Sequence, residues 1–123
     1  MTDMPEQRFI IEMGTGTDLH GRDYTKAARR AVESALRGAS LHILGLPGLD
    51  LSHLRLRLTL GVQDPSQVDP AALAPLFPVG TPEIVVTHGG LDVTHPVTGD
   101  TAVTATAAIE VFLPPQTAAY RPA

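Results

Sequence analysis

The chain has 123 residues and a mass of 13.0 kDa, enough for one core and too little for two. With 43% hydrophobic and 18% charged residues it buries enough apolar surface to fold, which excludes a wholly disordered chain. Aromatics are 4% with no Trp, Lys26 is the single lysine, and the net charge is -4, so base-stacking platforms and basic phosphate tracks are missing and nucleic acid ranks last among partners. Zero Cys removes disulfides, thiolate metal sites and cysteine nucleophiles.

In chain order, MTDMPEQR carries acids ahead of any apolar stretch, unlike a secretory leader, and no 18-residue apolar run follows. The expectation is a cytoplasmic protein with no membrane partner. Residues 8–13, RFIIEM, read as a short buried strand ending at Gly14. A polar loop, GTGTDLHGRD, leads to Asp23, an N-cap for a helix from Tyr24 to about Arg37. In that helix Ala27, Ala28, Ala31, Val32, Ala35 and Leu36 recur at helical spacing, and Gly38 stops it. Residues 39–52 are broken by Gly45, Pro47 and Gly48 and predict an irregular connection.

The clearest strand follows. In HLRLRLTLGV, Leu54, Leu56, Leu58 and Leu60 alternate with His53, Arg55, Arg57 and Thr59, giving one apolar face and one polar face. Asp69-Pro70 starts a second short helix through Leu76, stopped near Pro78. Glu83 to Thr87 forms a brief strand running into His88-Gly89-Gly90, and 91–113 read as a hairpin around PVTGD. In its long arm Val103, Ala105, Ala107, Ile109, Val111 and Leu113 share a face. The implied fold is α/β (α+β), a two-layer sandwich with one mixed sheet of four to five strands and two helices on one face. A single domain over 1–113 is followed by a proline-rich tail, 114–123. Two short helices leave the other sheet face bare, with Arg55, Arg57 and threonines on it, so a homo-oligomer is expected.

Chemistry concentrates at Gly14 to Asp23. A loop between a strand's carboxyl end and a helix N-terminus is where open α/β sheets hold ligands, and free helix N–H groups favour a small anionic one. The dinucleotide fingerprint fails because Leu19 occupies the third glycine position, and no Gly-Lys-Ser/Thr makes a phosphate loop. Asp18 and His20, two apart, are the candidate catalytic pair, with the carboxylate orienting the imidazole; a turn that merely ties itself together is the competing structural account. Gly14, Gly16, Gly21 and Lys26 are candidate ligand-binding residues, with Arg29 or Arg30 near Lys26. His88 joins them if its strand lies parallel and adjacent to the first. No metal site is assigned, because His42, His53, His88, His95 and Glu12 show no ligand spacing, and no cofactor is specified. No serine has a nucleophile-elbow context.

At this loop, FIIEMGTGTDLHGRDYTKAARRAV resembles the start of a family of conserved hypothetical proteins named from a Listeria "Lin" locus and found in bacteria and plants. The family's G-x-G-x-D-x-H-G pattern is met by Gly14, Gly16, Asp18, His20 and Gly21, and the similarity continues through LRLTLGV and the glycine pair near 90. Where the family has a less polar residue before that pair, this chain has His88, which weakens a site built on it. The resemblance marks the loop and supplies no reaction. Three functions stay open: a small oligomeric enzyme or small-molecule binder using the loop, a non-catalytic assembly protein in which the loop is a rigid turn, and a metal-dependent hydrolase.

Overall fold

A computed structural model describes residues 6–116. Strand β1 (Gln7–Asp18) leads to helix α1 (Tyr24–Leu36) and a 3-10 segment (Ala39–Gly45). Strand β2 (Arg55–Val62), three 3-10 turns (Pro65–Gln67, Pro70–Ala72, Ala74–Leu76), β3 (Pro82–His88), β4 (Leu91–Thr94) and β5 (Thr101–Leu113) complete the order. The sheet runs β1-β5-β2-β3, with β4 also paired to β5. Strands β2 and β3 are parallel, while β5 is antiparallel to β1, β2 and β4. This is the mixed two-layer α+β sheet that the sequence predicts.

Alternation on β2 and β5 builds the core. Leu56, Leu58, Leu60 and Val62 point inward with Val103, Ala105, Ala107, Ile109, Val111 and Leu113. Alpha-helix α1 lays Ala27, Ala28, Ala31, Val32 and Ala35, all fully buried, onto this layer. Asp23 caps the helix as expected, accepting the Lys26 N–H at 3.0 Å. The second helical stretch takes the form of 3-10 turns because Pro75, inside it, has no N–H to continue an α-helix. Its Leu73 and Phe77 still reach the core.

The largest departure from the sequence reading is at β1. The strand continues through Gly14-Thr15-Gly16-Thr17 to Asp18, pairing Gly14 with Ala107 and Gly16 with Ala105, so the connecting turn shrinks to 19–23. Gly14 and Gly16 lie directly under the helix. A Cβ at Gly16 would sit 2.3 Å from Ala31 N and 2.4 Å from Ala27 O, and one at Gly14 would sit 2.5 Å from Ala35 N. The glycines are the seat of the helix, which is why residues that read as loop are strand.

Of the proline-rich tail, Gln116 is tied to Asp50 through its side-chain amide, while 117–123 lie outside the described residues. Among the described residues no helix is long and apolar enough to cross a membrane.

Candidate functional site

Beyond β1 the chain reverses through Gly21 (φ 92°) and Arg22 (φ 50°) before entering α1. Left-handed backbone suits glycine; at Arg22 it carries a steric cost that the surrounding contacts must offset. Asp18 fixes this reversal from beneath. Its side chain is only 4% exposed, Oδ2 accepts the Asp23 N–H at 3.0 Å, and Lys26 Nζ lies 3.5 Å from Oδ1. The Asp23 N–H above all, with Lys26 and Arg30 assisting, holds the Asp18 carboxyl below the usual aspartate range against the opposing effect of burial. Arg30 reaches back from α1 to the Thr17 carbonyl at 2.5 Å.

His20 turns the other way. Its side chain is 83% exposed, and its Nδ1 meets Asp100 Oδ2 at 2.6 Å. Asp100 is positioned by the β4–β5 turn, where His95 N–H donates to the Asp100 carbonyl at 2.7 Å and the Thr98 hydroxyl accepts the Asp100 N–H at 3.2 Å. His95 itself braces that turn, its Nδ1 accepting the Val97 and Thr98 N–H groups at 3.1 Å each. Because an ionised carboxylate only accepts, Nδ1 carries the proton, and the Nε2 lone pair is left for whatever approaches.

A second constellation lies beside it. The Tyr24 hydroxyl donates a hydrogen bond to Asp92 Oδ2, and Arg22 sits 4.0 Å from the same oxygen. Asp92 Oδ1 is buried with no hydrogen-bond partner among the described residues. The Asp92 bond first, and burial second, push the Tyr24 phenol above its usual range.

The expected pairing of Asp18 with His20 is replaced by two separate pairs, Asp18 with Lys26 and His20 with Asp100. Gly14 and Gly16 face α1, and the helix backbone fills the space a bound phosphate would need. Gly21 makes the reversal. The helix N-terminal N–H of Lys26 is taken by Asp23, so the chain's own carboxylates sit where an anionic ligand was expected. His88 is exposed at the end of β3, and although β3 runs parallel to β1, β5 and β2 lie between them. At about 4.8 Å per strand the two ends are roughly 14 Å apart, so His88 and His20 do not line one cleft as adjacent strands would. Among the described residues no three His, Asp or Glu side chains converge as metal ligands.

Asp100, Tyr24, Asp92 and Arg22 were not singled out from the sequence. Asp92 had a signal, an acid at an inward-facing position of a strand. Asp100 had none, being 80 residues from His20. A cavity of about 360 Å³ lies toward the other end of the core, between Leu36, Leu41, Leu44, Leu56, Phe77 and Ile109. It is apolar and includes none of the polar groups above.

A mixed α+β sheet with an acid-pinned turn before its helix defines the class. Residues 8–111 match the family described as "Conserved hypothetical protein (Lin0512_fam)", and the chain belongs to it. A crystal structure of an FtsZ-like protein of unknown function from Nostoc punctiforme PCC 73102 is similar, with a TM-score of 0.72 and 30% identity, over 92% of this chain and 100% of that one. No curated protein matches the sequence.

Proposed function

We propose that the chain is one subunit of a small cytoplasmic homo-oligomer that binds a small molecule, as a binding protein or enzyme, at the turn between β1 and α1. His20 is the residue that meets the ligand, through Nε2, as general acid/base or hydrogen-bonding group. Asp100 is a positioning residue that fixes the imidazole tautomer, the part first expected of Asp18. The observation that carries this reading is the 2.6 Å contact on Nδ1 of a ring left 83% exposed. Gly14, Gly16, Gly21 and Asp18 already have structural tasks, and His20 is the member of the G-x-G-x-D-x-H-G run that points outward. Lys26, 47% exposed beside Asp18, stands at the margin of the same turn.

The test is a thermal-shift screen of wild type, His20→Ala and Asp100→Asn against small amides, sugars and carboxylates. Compounds that stabilise wild type should lose that effect on His20→Ala, with both variants melting near wild type unliganded. Equal stabilisation of wild type and His20→Ala would refute the assignment.

A second reading, a non-catalytic assembly protein in which 19–23 is a rigid turn, is favoured by one observation. Ile11, Met13, Val85, Leu91 and Val93, each at least 40% exposed, stand on strands at positions facing away from the helix.

A further inference from the structure

The outer face of the sheet is ordered in rows by the strand register. One row reads Ile11, Glu110, Arg57, Glu83; the next reads Met13, Ala108, Thr59, Val85; then Thr15, Thr106, Gly61, Thr87. Past the end of β2, β4 takes its place beside β5, so Thr17, Thr104 and Leu91 form a further row, with Val93 beside Ala102. Apart from the charged end, whose row includes Ile11, the surface is made of small Thr, Ala and Gly residues between four exposed aliphatic side chains, Met13, Val85, Leu91 and Val93. At the charged end, Arg8, Arg55 and Arg57 are paired with Glu6, Glu83 and Glu110, and Arg55 stacks on Phe112. Three arginines and three glutamates leave this face neutral, so the chain's net charge of -4 resides elsewhere. A highly charged partner therefore gains nothing from this surface, whereas a copy of itself can.

We propose that this face packs against the same face of a second copy, about a two-fold axis parallel to the strands and running between β5 and β2. The inference rests on the homo-oligomeric part of the reading above and adds the surface and its symmetry. Rotation about such an axis keeps each row opposite itself and reverses its order. Glu110 then lies over the partner's Arg57 and Arg57 over the partner's Glu110. Met13 meets the partner's Val85, Ala108 the partner's Thr59, and Thr104 the partner's Leu91. Opposite charges coincide at Glu110 and Arg57 and apolar side chains at Met13 and Val85, with small Ala and Thr residues between them and Ile11 over the partner's Glu83 as the one mismatch; an axis across the strands would instead lay the charged end on the aliphatic end. The area suffices. At about 3.3 Å per residue and 4.8 Å per strand, β1, β5, the β2–β4 column and β3 make roughly 700 Å² per subunit. That is close to the ~800 Å² per partner of a stable interface. Sheets packed this way align within about 30°.

The experiment uses the absence of native cysteine. Met13→Cys and Val85→Cys chains are prepared separately, mixed, and treated with a short bismaleimide; mass is followed by sedimentation equilibrium. Expected results are a wild-type mass twice 13.0 kDa and a cross-linked dimer from the mixture. Neither variant alone should cross-link, because in the proposed dimer two copies of Met13 are roughly 14 Å apart across the face. Met13→Lys and Val93→Lys should weaken the dimer by ~100-fold or more with an unchanged circular dichroism spectrum. Val97→Lys, on the exposed β4–β5 turn, should leave it intact. A dimer that cross-links Met13→Cys to itself, or a higher oligomer with no cross-link in the mixture, overturns this face while preserving oligomerisation. A wild-type monomer at 100-micromolar concentrations overturns both, and the His20 screen is unaffected by either result.

Discussion

Replacing Gly16 with Ala separates the two uses of the G-x-G segment. The added Cβ would lie 2.3 Å from Ala31 N, 2.4 Å from Ala27 O and 2.6 Å from Arg30 C, all backbone atoms of one helix. Ordinary contact needs roughly 3.4 Å or more, so α1 must retreat by about 1 Å along its middle turns. That retreat loosens five fully buried residues against β5. Overpacking a tight core costs about 1–3 kcal/mol, and here no flexible side chain absorbs the strain, so about 3 kcal/mol is expected. Unfolding entropy of about 2.1 cal/mol/K per residue gives 123 residues about 0.26 kcal/mol/K, which converts the loss to a Tm drop of about 12 °C. Thermal and urea unfolding followed by circular dichroism read it. Gly45→Ala is the control, since nothing lies within 4 Å of its Cβ and its φ is not positive; it should melt within about 2 °C of wild type. If Gly16→Ala also melts within about 2 °C, the helix is not seated on Gly16, and the segment returns to being a candidate ligand cradle.

Asp18→Asn should be less stable at neutral pH, because it loses the charge on Lys26 and weakens the bond to the Asp23 N–H. As the Asp18 carboxyl is depressed in the folded state, its contribution is present above the ordinary aspartate range and disappears as pH falls through the folded value. The urea midpoints of wild type and variant should therefore converge on acidification, and a constant gap would refute the role. Tyr24→Phe leaves Asp92 buried without its donor and should cost about 1–3 kcal/mol by urea titration; an unchanged midpoint would argue against the pair. Because the Tyr24 phenol is raised, its stabilisation holds below the ordinary tyrosine range and is lost as pH climbs through the raised value. An ultraviolet titration that reports ordinary phenol behaviour for the tyrosine absent from Tyr24→Phe would contradict it. His20→Ala should melt within about 2 °C of wild type, since exposed pairs contribute little; a collapse would make His20 structural.

Much of the fold was legible where a single period carries the information. The alternation of Leu54 to Leu60, the even-spaced inward set on β5, the Ala-rich stripe of α1 and the Asp23 cap each depend on neighbours within a few residues, and the structure has them. The end of β1 was not legible, because Gly14 and Gly16 are chosen by a helix that approaches later in the chain, and a strand whose side chains are absent looks like a loop. Pro75 explains why the second helical stretch is made of 3-10 turns. At the site, Asp18 and His20 are two apart in sequence yet serve opposite sides of the turn. The partners that orient His20 and Tyr24 arrive from 80 and 68 residues away, from a hairpin whose placement depends on the whole sheet.

The sheet order also has a meaning in time. Strand β5, the last described strand to leave the ribosome, is the one to which β1, β2 and β4 are all hydrogen-bonded. Until β5 is available, β1 has no strand to pair with, and its rows of amides and carbonyls stand open alongside Ile11 and Met13. Gly61 must find Thr106 and Asp18 must find Val103, 45 and 85 residues further along the chain, and closing loops of that length is slow. A nascent chain halted before β5 therefore holds a strand seeking a partner, and it is in that interval, rather than in the finished fold, that the molecule is most exposed to pairing with the wrong chain.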